Sequence, residues 1–168
     1  MKTLPVPHDA VYRWTEGGFR LLDGGTVSDH SRETAVSGVS LGLRLDGPAK
    51  VIGAIRQGLP VSAFTRLSEN MGVNESSLAD IAGIARRTLV RRKSEGRFKP
   101  DESERVYRIG NLFDMAVRVM GDEHSARQWF VTPKHALGGK SPLEYVDTEP
   151  GAREVEGMLG RLEYGVFS

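Results

Sequence analysis

Residues 74–99 constrain this chain more than any other stretch. Behind Asn74, whose side chain can cap a first helical turn, Leu78, Ala79, Ile81 and Ala82 recur at helical spacing. Gly83 interrupts the pattern, and a second helix is predicted from about Ala85 through Lys93, with a stop at Gly96. Helix, tight turn at glycine, then an arginine-laden helix is the helix-turn-helix arrangement, and its steric needs are met here. Ala79 is small where the helices must cross, Gly83 supplies the turn, and Leu78, Ile84 and Leu89 are apolar where the pair buries itself. The start and outer side of the second helix then carry Ala85, Arg86, Arg87, Val90 and Arg91, placed to reach base edges of duplex DNA, while Arg92, Lys93 and Arg97 are placed to meet phosphates. Two residues depart from the pattern: Ala85 cannot cap the second helix as Ser or Thr would, and Arg92 takes a commonly apolar position, where it must snorkel or pair. Without DNA, the same residues read as a helical hairpin whose cations serve solubility.

Charge alone suits both readings, and the pattern around the basic cluster is what favours DNA. The 168 residues hold 23 Lys+Arg and 22 Asp+Glu, a formal net charge of +1 that names no partner. Residues 1–48 carry a net −1, residues 49–99 a net +6 and residues 100–168 a net −4. Arg86, Arg87, Arg91, Arg92, Lys93, Arg97 and Lys99 oppose only Glu95, which concentrates a positive field on one short element, with phosphate its natural counter-charge. The absence of cysteine excludes disulfides, cysteine-type zinc sites and thiol nucleophiles, and fits a reducing compartment; cytoplasm is the expected location. The start Met-Lys-Thr-Leu-Pro has no apolar signal region, and no run of 18 apolar residues encodes a membrane span.

The flanking segments are less chemical and mostly structural. Alternation over residues 39–45 predicts a strand. From Ala49 the period becomes helical: Val51, Ile52, Ile55 and Leu59 share one face, then Val61, Phe64, Leu67 and Met71 another, with Ser62 a possible cap and Gly72 at the end. A long helix follows, carrying Val106, Ile109, Leu112, Phe113, Ala116, Val117 and Met120 and ended by Gly121. Asp122 can cap the next helix, whose Ala126, Trp129 and Phe130 form a bulky face read as core before interface. Ser141-Pro142-Leu143-Glu144 is a capping box, and Thr148 opens a last helix with Val155, Met158, Leu159 and Leu162 on one face. The apolar ending Tyr164, Val166 and Phe167 must either dock internally or meet a partner, and Gly160 and Gly165 are read as loosening the backbone beside it.

From about Val51 to Ser168 the chain resembles the Xre/MbcA/ParS antitoxins of bacterial type II toxin–antitoxin systems. The resemblance rests on Gly83-Ile84-Ala85-Arg86-Arg87-Thr88-Leu89 with Arg91-Arg92-Lys93, on Trp129 with Thr132-Pro133, on Ala136-Leu137-Gly138-Gly139 and on Ser141-Pro142-Leu143. Thr148 with Gly151 and the ending Gly160-Arg161-Leu162-Glu163-Tyr164-Gly165-Val166-Phe167-Ser168 complete it. It implies a mainly α chain with a short irregular N-terminal segment (residues 1–48, role unassigned), a helix-turn-helix DNA-binding domain (49–99) and a helical toxin-binding domain (100–168). It implies too that the partner is a RES-type toxin that depletes NAD+, and that Arg161, Glu163, Tyr164, Gly165, Val166, Phe167 and Ser168 contact it. The assembly, a homo-oligomer or a hetero-oligomer with toxin, would repress its own promoter at a pseudo-palindromic site.

An enzyme is the weakest alternative. His8, His30, His124 and His135 are dispersed, no nucleophile elbow or phosphate loop is present, and Asp122-Glu123-His124 reads more simply as a helix first turn. No catalytic residue, cofactor or metal ligand is assigned. A stand-alone repressor with a C-terminal oligomerisation domain is the other alternative, although an apolar, acid-rimmed end suits a protein groove better than a metabolite.

Overall fold

The computed structural model describes residues 12–15, 18–21 and 36–165. The chain divides into two compact units, Met1–Glu33 and Thr34–Ser168. In the first, β1 (Tyr12–Thr15) and β2 (Gly18–Leu21) form an antiparallel hairpin in which Tyr12 faces Leu21 and Thr15 faces Gly18.

The second unit is helical and is built around one long helix. After a small hairpin of β3 (Val36–Ser37) and β4 (Leu45–Asp46) come α1 (Pro48–Gln57), α2 (Val61–Met71), α3 (Glu75–Ile81) and α4 (Arg86–Glu95). Then follow α5 (Pro100–Met120), α6 (Glu123–Val131), α7 (Pro142–Tyr145) and α8 (Glu149–Glu163). α5 packs against α1, α2, α6 and α8, and its Val106, Ile109, Leu112, Phe113 and Ala116 belong to a hydrophobic cluster that runs from Leu41 to Leu159. The predicted helix starts hold at four places, Thr148 of α8 among them. Asn74 accepts from Ser77 N at 2.8 Å, Asp122 from Ser125 N at 2.8 Å, and Ser141 and Glu144 form the reciprocal capping box.

Several expectations are corrected. Residues 39–45 are mostly a turn, with only Leu45 in a strand. Gly38 and Gly42, at φ 81° and 68°, reverse the chain there, a backbone that L side chains rarely adopt. Asp114 of α5 holds the turn by accepting from Gly38 N and Val39 N at 3.0 Å each and from Ser40 N at 2.8 Å. Leu41 is 1% exposed and fits over α5 where Gly110 leaves no side chain; a Cβ there would meet Leu41 Cγ at 3.0 Å. The unit therefore begins near residue 34, and a boundary at 48 would cut through it. Ser62 is no cap, because Pro60 precedes the first residue of α2 and bridges to Arg97. Of the apolar face predicted for α1, only Leu59 beyond its end is buried; Ile52 is 47% exposed, since α1 rests mainly on α5 and β4.

Candidate functional site

The turn between α3 and α4 is tight and fastened from outside. Gly83 takes φ 62°, Ile84 N donates to Ala79 O at 2.8 Å, and Leu78, Ala79, Ala82 and Ile84 fill the angle between the two helices. Arg105 of α5 donates from Nε to Ala82 O at 2.7 Å, satisfying a carbonyl at the end of α3. The α4 helix so presented buries only Leu89 and Arg92, which leaves its other faces to solvent.

On that outer side Ala85, Arg86, Arg87, Val90 and Arg91 are all exposed, as the spacing predicts. Ala85 stands at the N-cap with no side-chain acceptor. Arg86 and Arg87 make no ion pair with a described residue, whereas Arg91 lies 3.8 Å from Glu95 one turn on. Unpaired, exposed guanidinium groups at the start of such a helix can take up base edges or phosphates without first breaking a contact.

The residues expected at phosphates divide. Arg92 is turned inward and only 3% exposed, so its phosphate role is corrected. It grips Glu102 of α5 through both ends of its fork, Nε to Oε2 at 2.7 Å and Nη2 to Oε1 at 2.9 Å, and it also bonds Glu95. Those bonds, Glu102 first, raise the guanidinium pKa further, and the charge is permanent. Burial pushes the Glu102 carboxyl up, but Arg92 and the Lys99 backbone N–H outweigh it and leave it below its ordinary value. Lys93 bonds Glu75, whose carboxyl is held low by Lys93 and then by Thr65, which donates at 2.6 Å. Arg97 is exposed and donates from Nη1 to Gly58 O at 2.7 Å. Glu102 was missed as a functional partner, although Lys99-Pro100 followed by an acid at the third helical position is a legible helix start.

At the other end, Thr148 caps α8 by accepting from Gly151 N, and Ala152, Val155 and Leu159 pin the helix to the core. Arg161 pairs with Glu154 at 3.5 Å and Glu163 ends the helix, exposed. Tyr164 N donates to Gly160 O at 3.1 Å, and its side chain is 55% exposed, so Tyr164 does not fold back into the core. Gly165 follows in the left-handed conformation, whereas Gly160 lies inside α8. Val166, Phe167 and Ser168 lie outside the described residues. Trp129 is half-buried against Phe130, with ring centroids 5.5 Å apart, and Phe130 meets Phe113 at 5.8 Å, which places the pair in or beside the core.

Asp122 serves as a cap: it accepts from Ser125 N and, at 2.7 Å, from the Ser125 hydroxyl, which together hold its carboxyl low. Among the described residues no group of three His, Cys, Asp or Glu side chains could hold a metal ion, and no helix is long and apolar enough to cross a membrane.

Two family models match within the helical unit, and they meet inside α5. Residues 50–111 match the family model of the antitoxin Xre-like helix-turn-helix domain, and residues 115–165 match that of the antitoxin Xre/MbcA/ParS C-terminal toxin-binding domain. The Antitoxin Xre of Yersinia enterocolitica is 36% identical over 130 residues, covering 76% of this chain and 88% of that relative. The Antitoxin Xre of Photorhabdus laumondii is 36% identical over 116 residues, 68% of this chain and 78% of the relative. A protein of Sphingobium sp. named Prs ADP-ribosylating antitoxin is 27% identical over 132 residues, 72% of this chain and 82% of its own length.

Proposed function

Given that the chain belongs to the Xre/MbcA/ParS antitoxins, with a helix-turn-helix and a toxin-binding domain, we propose that it neutralises a RES-type toxin by occluding the toxin's NAD+ site with its C-terminal end. The observation that carries this reading is Tyr164, which leaves the end of α8 exposed while Leu159, five residues earlier, is fully buried. An aromatic ring with an apolar body and a polar tip, beside the carboxylate of Glu163, is suited to a cleft that holds a dinucleotide. The Glu163 and terminal carboxylates would meet the cations that bind the dinucleotide phosphates, and Tyr164 and Phe167 would exclude substrate. Arg161 and Val166 would flank that contact, with Gly165 allowing the chain to turn into it. The mechanism is occlusion, without covalent chemistry.

The same chain would bind its own promoter through Arg86, Arg87, Val90 and Arg91, with Lys93 and Arg97 on phosphates, and act in the cytoplasm as an autorepressor. A single helix-turn-helix grips one half-site weakly, so the repressing form is a dimer or a larger assembly with toxin on a pseudo-palindrome. Removal of residues 163–168 tests the toxin reading. The thermal midpoint should move by no more than a few degrees, because surface changes are worth about ±0.5 kcal/mol, while NAD+ loss by the co-expressed toxin should return. A truncated chain that stays folded and still protects NAD+ would place the blocking residues elsewhere. For the promoter, gel-shift affinity should fall steeply with salt, at a log–log slope of about −0.9 per phosphate contact.

A further inference from the structure

Among the described residues Val90 is the most exposed large apolar residue at 64%, and it stands in the middle of the cationic face of α4. Arg86 lies one turn before it, Arg87 three residues before and Arg91 beside it, all exposed. Folding gives no reason for a valine there. A β-branched residue on an exposed helix surface has a lower helix propensity than the Lys, Arg or Ala that could replace it. Its inner neighbour Leu89 is already buried, and Val90, although it lines a groove with Glu75, Ser76, Ala79 and Lys93, stays largely exposed there. Its side chain has no hydrogen-bonding atom, so it cannot bond a phosphate or a base edge.

We propose that Val90 is a specificity-determining residue that reads the 5-methyl group of thymine in the major groove, between the base or phosphate contacts of its neighbouring arginines. The thymine methyl is the one apolar group that a base pair offers in that groove, and an apolar side chain at the centre of a polar face is its complement. The flanking arginines would fix the register of α4 along the duplex, so Val90 meets a fixed position of each half-site rather than any thymine that passes. The proposal rests on the DNA-binding reading above.

The test compares full-length chain, wild type and Val90→Ala, on promoter DNA carrying either thymine or uracil throughout the protected site. The two bases differ by the methyl group alone. Wild type should bind the uracil DNA about fourfold more weakly per methyl contacted, the worth of one buried methyl-sized group. V90A should show the same loss on thymine DNA and no further loss on uracil DNA. Its thermal midpoint should equal or exceed that of wild type, because alanine is the better helix former, and that measurement excludes misfolding. Wild type binding both DNAs equally, or V90A remaining as sensitive to uracil as wild type, would overturn the proposal while leaving DNA binding intact. Failure of wild type to bind the thymine promoter would overturn the DNA-binding reading, and this inference with it.

Discussion

The α4 and α8 helices each bury one face and expose another, yet they are held by different forces. α8 is anchored by Gly151, Ala152, Val155 and Leu159, a stripe of buried apolar or side-chain-free positions. α4 buries one leucine and one arginine, and the arginine is clamped by Glu102. A helix that must carry cations outward on most of its surface has few positions left for an apolar stripe. Its anchor is therefore ionic and directional, and it fixes how α4 is rotated about its own axis. The apolar anchor of α8 is insensitive to pH and salt, whereas that of α4 depends on the ionisation of Glu102.

The largest expected effect tests whether the two helices share a base in α5. A chain beginning at residue 49 loses Leu41 and the three backbone donors on Asp114, which exposes to water the face of α5 that the turn covers. Its thermal midpoint should fall by roughly 20 °C or more, lowering both DNA and toxin binding, while a chain beginning at residue 34 should keep the midpoint within a few degrees. Equal stability of the two chains would mean that α5 does not need the hairpin.

Smaller and more selective are the anchor mutations, read by thermal melts across pH. Leu159→Ala should lower the midpoint by about 10–20 °C at every pH, as expected for truncating a buried leucine. Glu102→Ala should lower it by a comparable amount at neutral pH, because it strands Arg92. The Glu102 pKa is lower folded than unfolded, so its contribution is fully present above the ordinary value of 4.5 and is lost as pH falls through the lower folded value. The gap between wild type and E102A should therefore close in acid, and the L159A gap should not. A pH-independent gap for E102A would show that the clamp acts by packing alone.

Smallest on stability is the outer face. Arg86→Ala and Arg87→Ala should move the midpoint by no more than about 3 °C, since neither side chain pairs with a described residue. Each should nevertheless cost promoter affinity roughly tenfold or more and relax sequence preference, as measured by gel shift on matched and mutated sites. Unchanged affinity for both would mean that α4 does not face the DNA.

Much of this was legible because it is local. The caps at Asn74, Asp122, Ser141 and Thr148 and the turn at Gly83 are each decided within four residues, and each is observed. What could not be read depends on partners far along the chain. Alternation over residues 39–45 reads as a strand until Asp114, more than seventy residues later, is known to collect the backbone donors of the turn. Arg92 shows the intermediate case, for its misfit with an apolar position signalled pairing, but Glu102 could be named only once α5 was seen beside α4. The helical face predicted for α1 failed for a similar reason: periodicity tells which residues align, and only the neighbouring elements decide whether they are covered.

The fastening of Gly38 to Asp114 also sets an order of events during synthesis. The two residues are 76 positions apart, so the hairpin has no carboxylate to close on until most of α5 has been translated. At about 5–20 residues per second, that interval is roughly 4–15 s, during which α2, α3 and α4 can form from contacts within their own segment. Leu41 stays uncovered throughout it. A nascent chain of this protein thus exposes an apolar turn ahead of a nearly complete basic helical hairpin, and the arrival of α5 seals the one while clamping the other through Glu102. Both anchors need residues of α5, so neither can close before α5 has been made.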